Sequence, residues 1–128
     1  MSYHFSKKLD VPFDQAVSRV TEALKTEGFG LLTDIDVSAT LKAKLGENFR
    51  PYRILGACNP QLAYRALTLE DKIGTMLPCN VIVQQHQGGG VEVSAVDPVA
   101  SMQAIDNPAL ADVANEVRAR LKRLIDGL

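Results

Sequence analysis

Apolar and polar residues along this chain switch between two periods, and the switches divide it into elements. Tyr3, Phe5, Lys7 and Leu9 fall on one side of a period-two pattern and His4, Ser6 and Lys8 on the other, which predicts a first strand. After Pro12 the period lengthens. Phe13, Ala16, Val17, Val20 and Leu24 recur at helical spacing as far as Gly28-Phe29-Gly30, predicting an amphipathic helix over 12–27. Its proline falls in the first turn, where a missing N–H costs nothing. Period two returns over Phe29–Val37, a second strand with Leu32, Asp34 and Asp36 on its outer side.

Ser38 is placed to cap a short helix over 39–45, closed by Gly46, and 48–51 reads as a turn. Tyr52–Cys58 is a third strand, with Tyr52, Ile54, Gly56 and Cys58 on one face. Asn59 suits an N-cap and Pro60 a first helical residue, so the strand gives way to a helix through Leu62, Ala63, Ala66 and Leu67. A loop over 71–77 leads to Pro78 and a fourth strand, Cys79–Gln87, with Cys79, Val81 and Val83 inward. Gly88-Gly89-Gly90 cannot propagate a strand, and Val91–Asp97 alternates again, so 79–97 is a hairpin. Beyond Asp97-Pro98 a helical turn over 99–105 is expected, and Asn107-Pro108 repeats the cap-and-proline signal. Leu110, Val113, Ala114, Val117, Leu121, Leu124, Ile125 and Leu128 then form the longest apolar stripe in the chain.

The sum is an α+β fold, a β-α-β-β-β-β-α core with short helical insertions, forming one domain over 1–128 with helices on one face of its sheet. The other face collects His4, Leu32, Asp34, Asp36, Leu55, Asn80, Ile82, Gln84, His86, Glu92, Ser94 and Val96. That mixture is too apolar to be merely wet and too polar to be a core. It predicts cover by a second copy, giving a homodimer through the open sheet face, or by a small-molecule ligand.

Charge narrows the partners. Fourteen basic residues stand against fifteen acidic ones for a net of -1, so no overall field draws the protein to nucleic acid or to an anionic membrane. The basic run Arg118, Arg120, Lys122 and Arg123 reads as a complement to a helix dipole and a solvated face. The first ten residues alternate instead of forming a signal-peptide core, and no run approaches the length of a membrane span, so a cytoplasmic location is expected. In that compartment the two cysteines are expected as thiols.

The chain's most unusual punctuation is a pair of near-mirror marks at the borders of apolar runs, Cys58-Asn59-Pro60 and Pro78-Cys79-Asn80. With Tyr52-Arg-Ile-Leu-Gly-Ala-Cys-Asn-Pro60, Ile73-Gly-Thr-Met-Leu-Pro-Cys-Asn-Val81, Asp97-Pro98 and Met102, the sequence resembles the family called domain of unknown function 302 across nearly its whole length. The resemblance implies a TATA-binding-protein-like α+β fold with a single antiparallel-rich sheet of about five strands. It implies long helices on one side, a homodimer, and no established activity. Asn59-Pro60 and Leu77-Pro78 match its general elements, while Cys58 and Cys79 mark one branch. DNA binding does not carry over from the fold name.

The candidate site is therefore Cys58, Asn59, Pro60, Pro78, Cys79 and Asn80. If the third and fourth strands are antiparallel neighbours, both cysteines lie at one end of the sheet, with Cys58 beside a helix N-terminus that lowers a thiol pKa. Three readings stay open: thiols packed as small hydrophobes on a face shared with Ile54, Val81 and Val83, a redox or covalent thiol pair, and a soft-metal site drawing on Cys58, Cys79, His86 and Met102. No pair has chelating spacing, and no cofactor fingerprint is evident. Asp34 and Asp36 share a strand face, where solvated carboxylates are the default over an acid–base or cation pair. Gly88–Gly90 lacks the Lys-Ser/Thr and following helix of a phosphate loop.

Overall fold

The computed structural model of the protein describes residues 2–128. Five strands, β1 (His4–Leu9), β2 (Gly30–Asp36), β3 (Tyr52–Cys58), β4 (Cys79–Gln85) and β5 (Val91–Val96), form one sheet in the order β1-β5-β4-β3-β2. Every pairing is antiparallel. Between them run α1 (Phe13–Thr26), α2 (Val37–Leu45), α3 (Pro60–Leu69) and the single turn α4 (Pro98–Ser101), and α5 (Ala111–Asp126) closes the chain. Two 3-10 segments, Asp71–Met76 and Pro108–Leu110, complete the connections. The expected α+β sheet covered on one face is thus present.

Alternation decides which side of the sheet becomes core. Leu55, Ala57, Val81, Val83, Val93 and Ala95 have no exposed surface, and they meet Ala16, Val20 and Leu24 of α1 and Val117, Leu121 and Ile125 of α5. Fully buried side chains such as Leu24, Leu55, Leu121 and Ile125 each contribute roughly 1.5–3 kcal/mol by leaving water. The basic residues of α5 serve this layer. Arg120 Nη1 donates to the Glu27 carbonyl at 2.9 Å, and Arg123 holds both oxygens of the Glu27 carboxylate at 2.7 and 2.9 Å. Lys7 Nζ meets the carbonyls of Asp126 and Leu128 at the far end of α5. Cations here satisfy C-terminal carbonyls that no helix can satisfy alone.

Two expectations about facing and one about a helix cap are corrected. Leu55, placed on the open face, is inside with Ala57, so on β3 the outward set is Tyr52, Ile54, Gly56 and Cys58. The β3 run is apolar in both phases, and the phase is decided at Gly56, whose outward position is already filled by Thr33 and Pro78. A bulge between Leu31 and Thr33 then shifts β2 by one residue. Asp34 and Asp36 therefore pair with Leu55 and Arg53 on the helix side, and Thr33 and Ile35 take the open side. Finally, Asp36 and not Ser38 caps α2, its Oδ1 accepting from the Ala39 N–H at 2.9 Å. Ser38 donates instead to the Phe49 carbonyl.

Candidate functional site

The two punctuation marks do meet at one end of the sheet, since Ala57 and Cys79 are cross-strand partners. They meet as architecture. Asn59 Oδ1 accepts the Leu62 N–H at 3.2 Å and so caps α3, with Pro60 in its first turn. Pro78 follows a cis peptide and covers Gly56 on the open side. Cys58, Asn59, Pro78 and Cys79 border a cavity of about 30 Å³ whose other walls include Phe29, Leu62 and Met102. That is the volume of roughly one water molecule, too small for an organic ligand and almost without polar lining.

Both thiols are poor nucleophiles there. Burial pushes Cys79 up to about 11, reinforced by the neighbouring Cys58, and burial also raises Cys58. The lowered Cys58 pKa expected from the helix N-terminus is overturned, because the cap is Asn59 and it already takes the Leu62 N–H. Nor do the cysteines share a face: successive positions on a strand alternate, so Cys58 leaves the sheet on the side opposite Ala57, Cys79, Val81 and Val83. Among the described residues both cysteines stand as free thiols, with no disulfide. The four-residue soft-metal set is not assembled either. His86 lies past the other end of β4, about 20 Å along the strand from Cys79 at some 3.3 Å per residue.

The remaining expected groups are accounted for by local partners. Asp34 binds Arg53 through both guanidinium donors, and this contact holds its carboxyl below the usual carboxylate range. Arg118 reaches Asp97, which caps α4. Gly88–Gly90 turns the hairpin, all three with positive φ, under a Gly89 N–H to His86 carbonyl bond.

A broader feature lies on the uncovered face. Strands β1, β5, β4 and β3 line an open hollow of about 480 Å³ with Ile82 and Val96 among its apolar groups and His4, Ser6, Tyr52, Asn80, Gln84, Glu92 and Ser94 as its polar ones. Asn80 is thus the one member of the predicted site that belongs to this surface. Its polar groups are connected: His4 Nδ1, Ser6 Oγ and Ser94 Oγ form a chain with 2.7 Å links, Arg50 holds Gln84, and His86 Nε2 lies 3.0 Å from Glu92. Sequence reasoning assigned most of these residues to the open face but missed Ser6, Tyr52 and Arg50. The period-two pattern contains the signal for Ser6, whose cross-strand partner is Ser94.

Comparison with other proteins fits this architecture. The sequence matches the family described as "Domain of unknown function DUF302" over residues 5–128. The chain belongs to the DUF302 family. It is also similar to the crystal structure of an uncharacterized conserved DUF302 protein from Bacillus stearothermophilus, at 31% identity and a TM-score of 0.91, covering 98% of both chains. No curated protein matches it significantly. In this DUF302 chain Asn80 lines the open sheet face, where hydrogen-bonded groups such as His4, Ser6, Ser94 and Gln84 also lie.

Proposed function

We propose that this DUF302 protein is a cytoplasmic binding or accessory domain that works through its open sheet face, two copies meeting there over a small-molecule ligand. The observation that carries the reading is the hollow of about 480 Å³, large enough for a small organic molecule yet open on the solvent side. Apolar groups without cover support a partner surface. Ile35 is 46% exposed and Leu32 64%, both on the edge strand that continues the open face. A two-fold would lay one such face on another and enclose the hollow. The cytoplasmic location is supported by two cysteines that stand as free thiols.

A thiol-dependent role for Cys58 and Cys79 draws no support from their raised pKa values and opposed directions. Analytical ultracentrifugation of the full chain tests the dimer. A concentration-dependent dimer at micromolar protein, lost on Ile82→Arg with an unchanged circular dichroism spectrum, is the expected result. A sharp monomer throughout removes the dimeric part of the reading.

A further inference from the structure

The hydrogen bonds of the open face have a directionality that specifies a ligand class. Arg50 donates from both Nε and Nη2 to Gln84 Oε1, at 3.1 and 2.9 Å. A guanidinium has donors only, so the amide oxygen is fixed at Arg50 and the Gln84 NH2 is the end left to donate into the hollow that this residue lines. Arg50 is itself positioned over the rings of Phe49 and Tyr52, at 4.5 and 5.5 Å. Charge then selects among acceptors. Glu92 is the cross-strand partner of Gln84 and lines the same hollow, placing a carboxylate where an anionic ligand would sit.

The second donor is conditional. In the chain from His4 Nδ1 through Ser6 Oγ to Ser94 Oγ, each hydroxyl passes on a single proton, so the direction is set at the imidazole. With Nδ1 unprotonated, Ser6 donates to His4, Ser94 donates to Ser6, and Ser94 turns only lone pairs to the hollow. With a proton on Nδ1, in the neutral Nδ1–H tautomer or in the imidazolium, Nδ1–H donates to Ser6, Ser6 donates to Ser94, and the Ser94 O–H is released to a ligand. Facing His4 are Tyr3, whose ring meets it edge-on at 4.9 Å, and along the same face Ser6 and Ser94, then Lys8, Tyr52 and Glu92 with its partner His86.

We propose that the open face takes an uncharged small molecule through a carbonyl oxygen that accepts from the Gln84 amide, and that Ser94, when His4 Nδ1 carries a proton, is a second donor to the same oxygen. Ile82 and Val96 receive the apolar part of the molecule. Gln84 and Ser94 occupy a diagonal on adjacent strands, with Ile82 the direct partner of Ser94. Such diagonal pairs lie about 7–8 Å apart at the backbone, within reach of one bridging acceptor. The inference rests on the reading of the open face as the binding surface.

Titration of the 15N-labelled full chain with benzamide, benzoate and benzylamine tests it, the three probes sharing a ring and differing in head-group charge. Benzamide should shift the Gln84 side-chain NH2 and the backbone amides of Ile82 and Ser94 saturably, and bind several-fold tighter than benzoate; benzylamine, which has no acceptor for the Gln84 amide, should leave the Gln84 side-chain NH2 unshifted. Ser94→Ala should cost benzamide about 3- to 10-fold, the worth of one hydrogen bond. Gln84→Glu keeps an acceptor for Arg50 and removes the donor, so it should cost benzamide about tenfold without loss of fold. Equal or tighter binding of benzoate, a Gln84 side-chain shift with benzylamine, or unchanged affinity in Gln84→Glu or Ser94→Ala overturns the proposal. If no probe moves the open-face amides but protein concentration does, the ligand class is wrong while the face remains an interface. If neither moves them, both readings fall.

Discussion

Replacing Gly56 by alanine probes the close approach that decides the phase of β3. An added Cβ would lie 2.2 Å from Thr33 Oγ1 and 2.8 Å from Pro78 Cγ, with Asn80 Oδ1 at 3.5 Å. Thr33 stands on an exposed edge strand and can turn its side chain away, but the Pro78 ring is stiff and must be displaced together with the start of β4. Overpacking of this kind costs roughly 1–3 kcal/mol. The lost freedom of glycine in the unfolded chain returns about 0.4–1 kcal/mol, leaving a net destabilisation of about 1–2 kcal/mol. Urea unfolding followed by circular dichroism should show the midpoint falling by roughly 0.5–1 M at an unchanged slope. The partition between the two neighbours is separable. Thr33→Ala in the Gly56→Ala background should restore about half of the loss, and the remainder belongs to Pro78. A Gly56→Ala protein as stable as the parent, or a double variant whose losses simply add, would refute the account of why Leu55 and not Gly56 faces the core.

The thiols and the ion pairs give two further expectations. With a disulfide reagent at about pH 8, where an ordinary cysteine is partly thiolate, Cys79 should react only on unfolding and Cys58 more slowly than a free thiol, because burial raises both; two fast groups in the native protein would reverse that conclusion. Glu27 and Asp34 are held below their usual 4.5 and 3.8 by hydrogen bonds from Arg123 and Arg53. Their folded pKa values lie under the unfolded ones, so the stabilisation is present above the unfolded pKa and is lost as pH falls through the folded one. Solvent exposure keeps the contribution of each pair small. Thermal unfolding from neutral pH to about 3 should show a slope that Glu27→Gln and Asp34→Asn each reduce, and slopes unchanged in both variants would count against any native pairing.

Much of the fold was legible because the signals were local. Pro12, the Asn59-Pro60 cap, the Asp97-Pro98 and Asn107-Pro108 marks and the α5 stripe each act within one or two turns, and each lies where its chemistry places it. The facing of the middle strands was not legible from those signals. Tyr52-Arg-Ile-Leu-Gly-Ala-Cys58 offers Ile54 in one phase and Leu55 in the other, and the choice depends on Thr33 and Pro78, which approach from two different strands. The bulge after Leu31 likewise moves two carboxylates across the sheet for a reason that lies in pairing with β3, and alternation within β2 carries no sign of it. The border positions are divided in the same way: Asn59 caps α3 and Pro78 packs over Gly56, while Asn80 lines the open hollow.

That outcome bears on where function resides in this fold. On the helix side every conspicuous polar group has a structural employment: Arg120, Arg123 and Lys7 satisfy helix ends, Asp34 and Arg53 join β2 to β3, and Asp97 caps α4 and receives Arg118. On the open side the same test gives a different answer. The β3, β4, β5 and β1 ladders would close without the chain from His4 to Ser94 or the Arg50 clamp on Gln84, since backbone groups alone make those pairings. Ordering long side chains such as Arg50 and Gln84 at a surface costs conformational entropy that exposed hydrogen bonds scarcely offset. Groups held in this way, beside apolar side chains that nothing in the chain covers, are better explained by what they meet from outside than by what they contribute to folding.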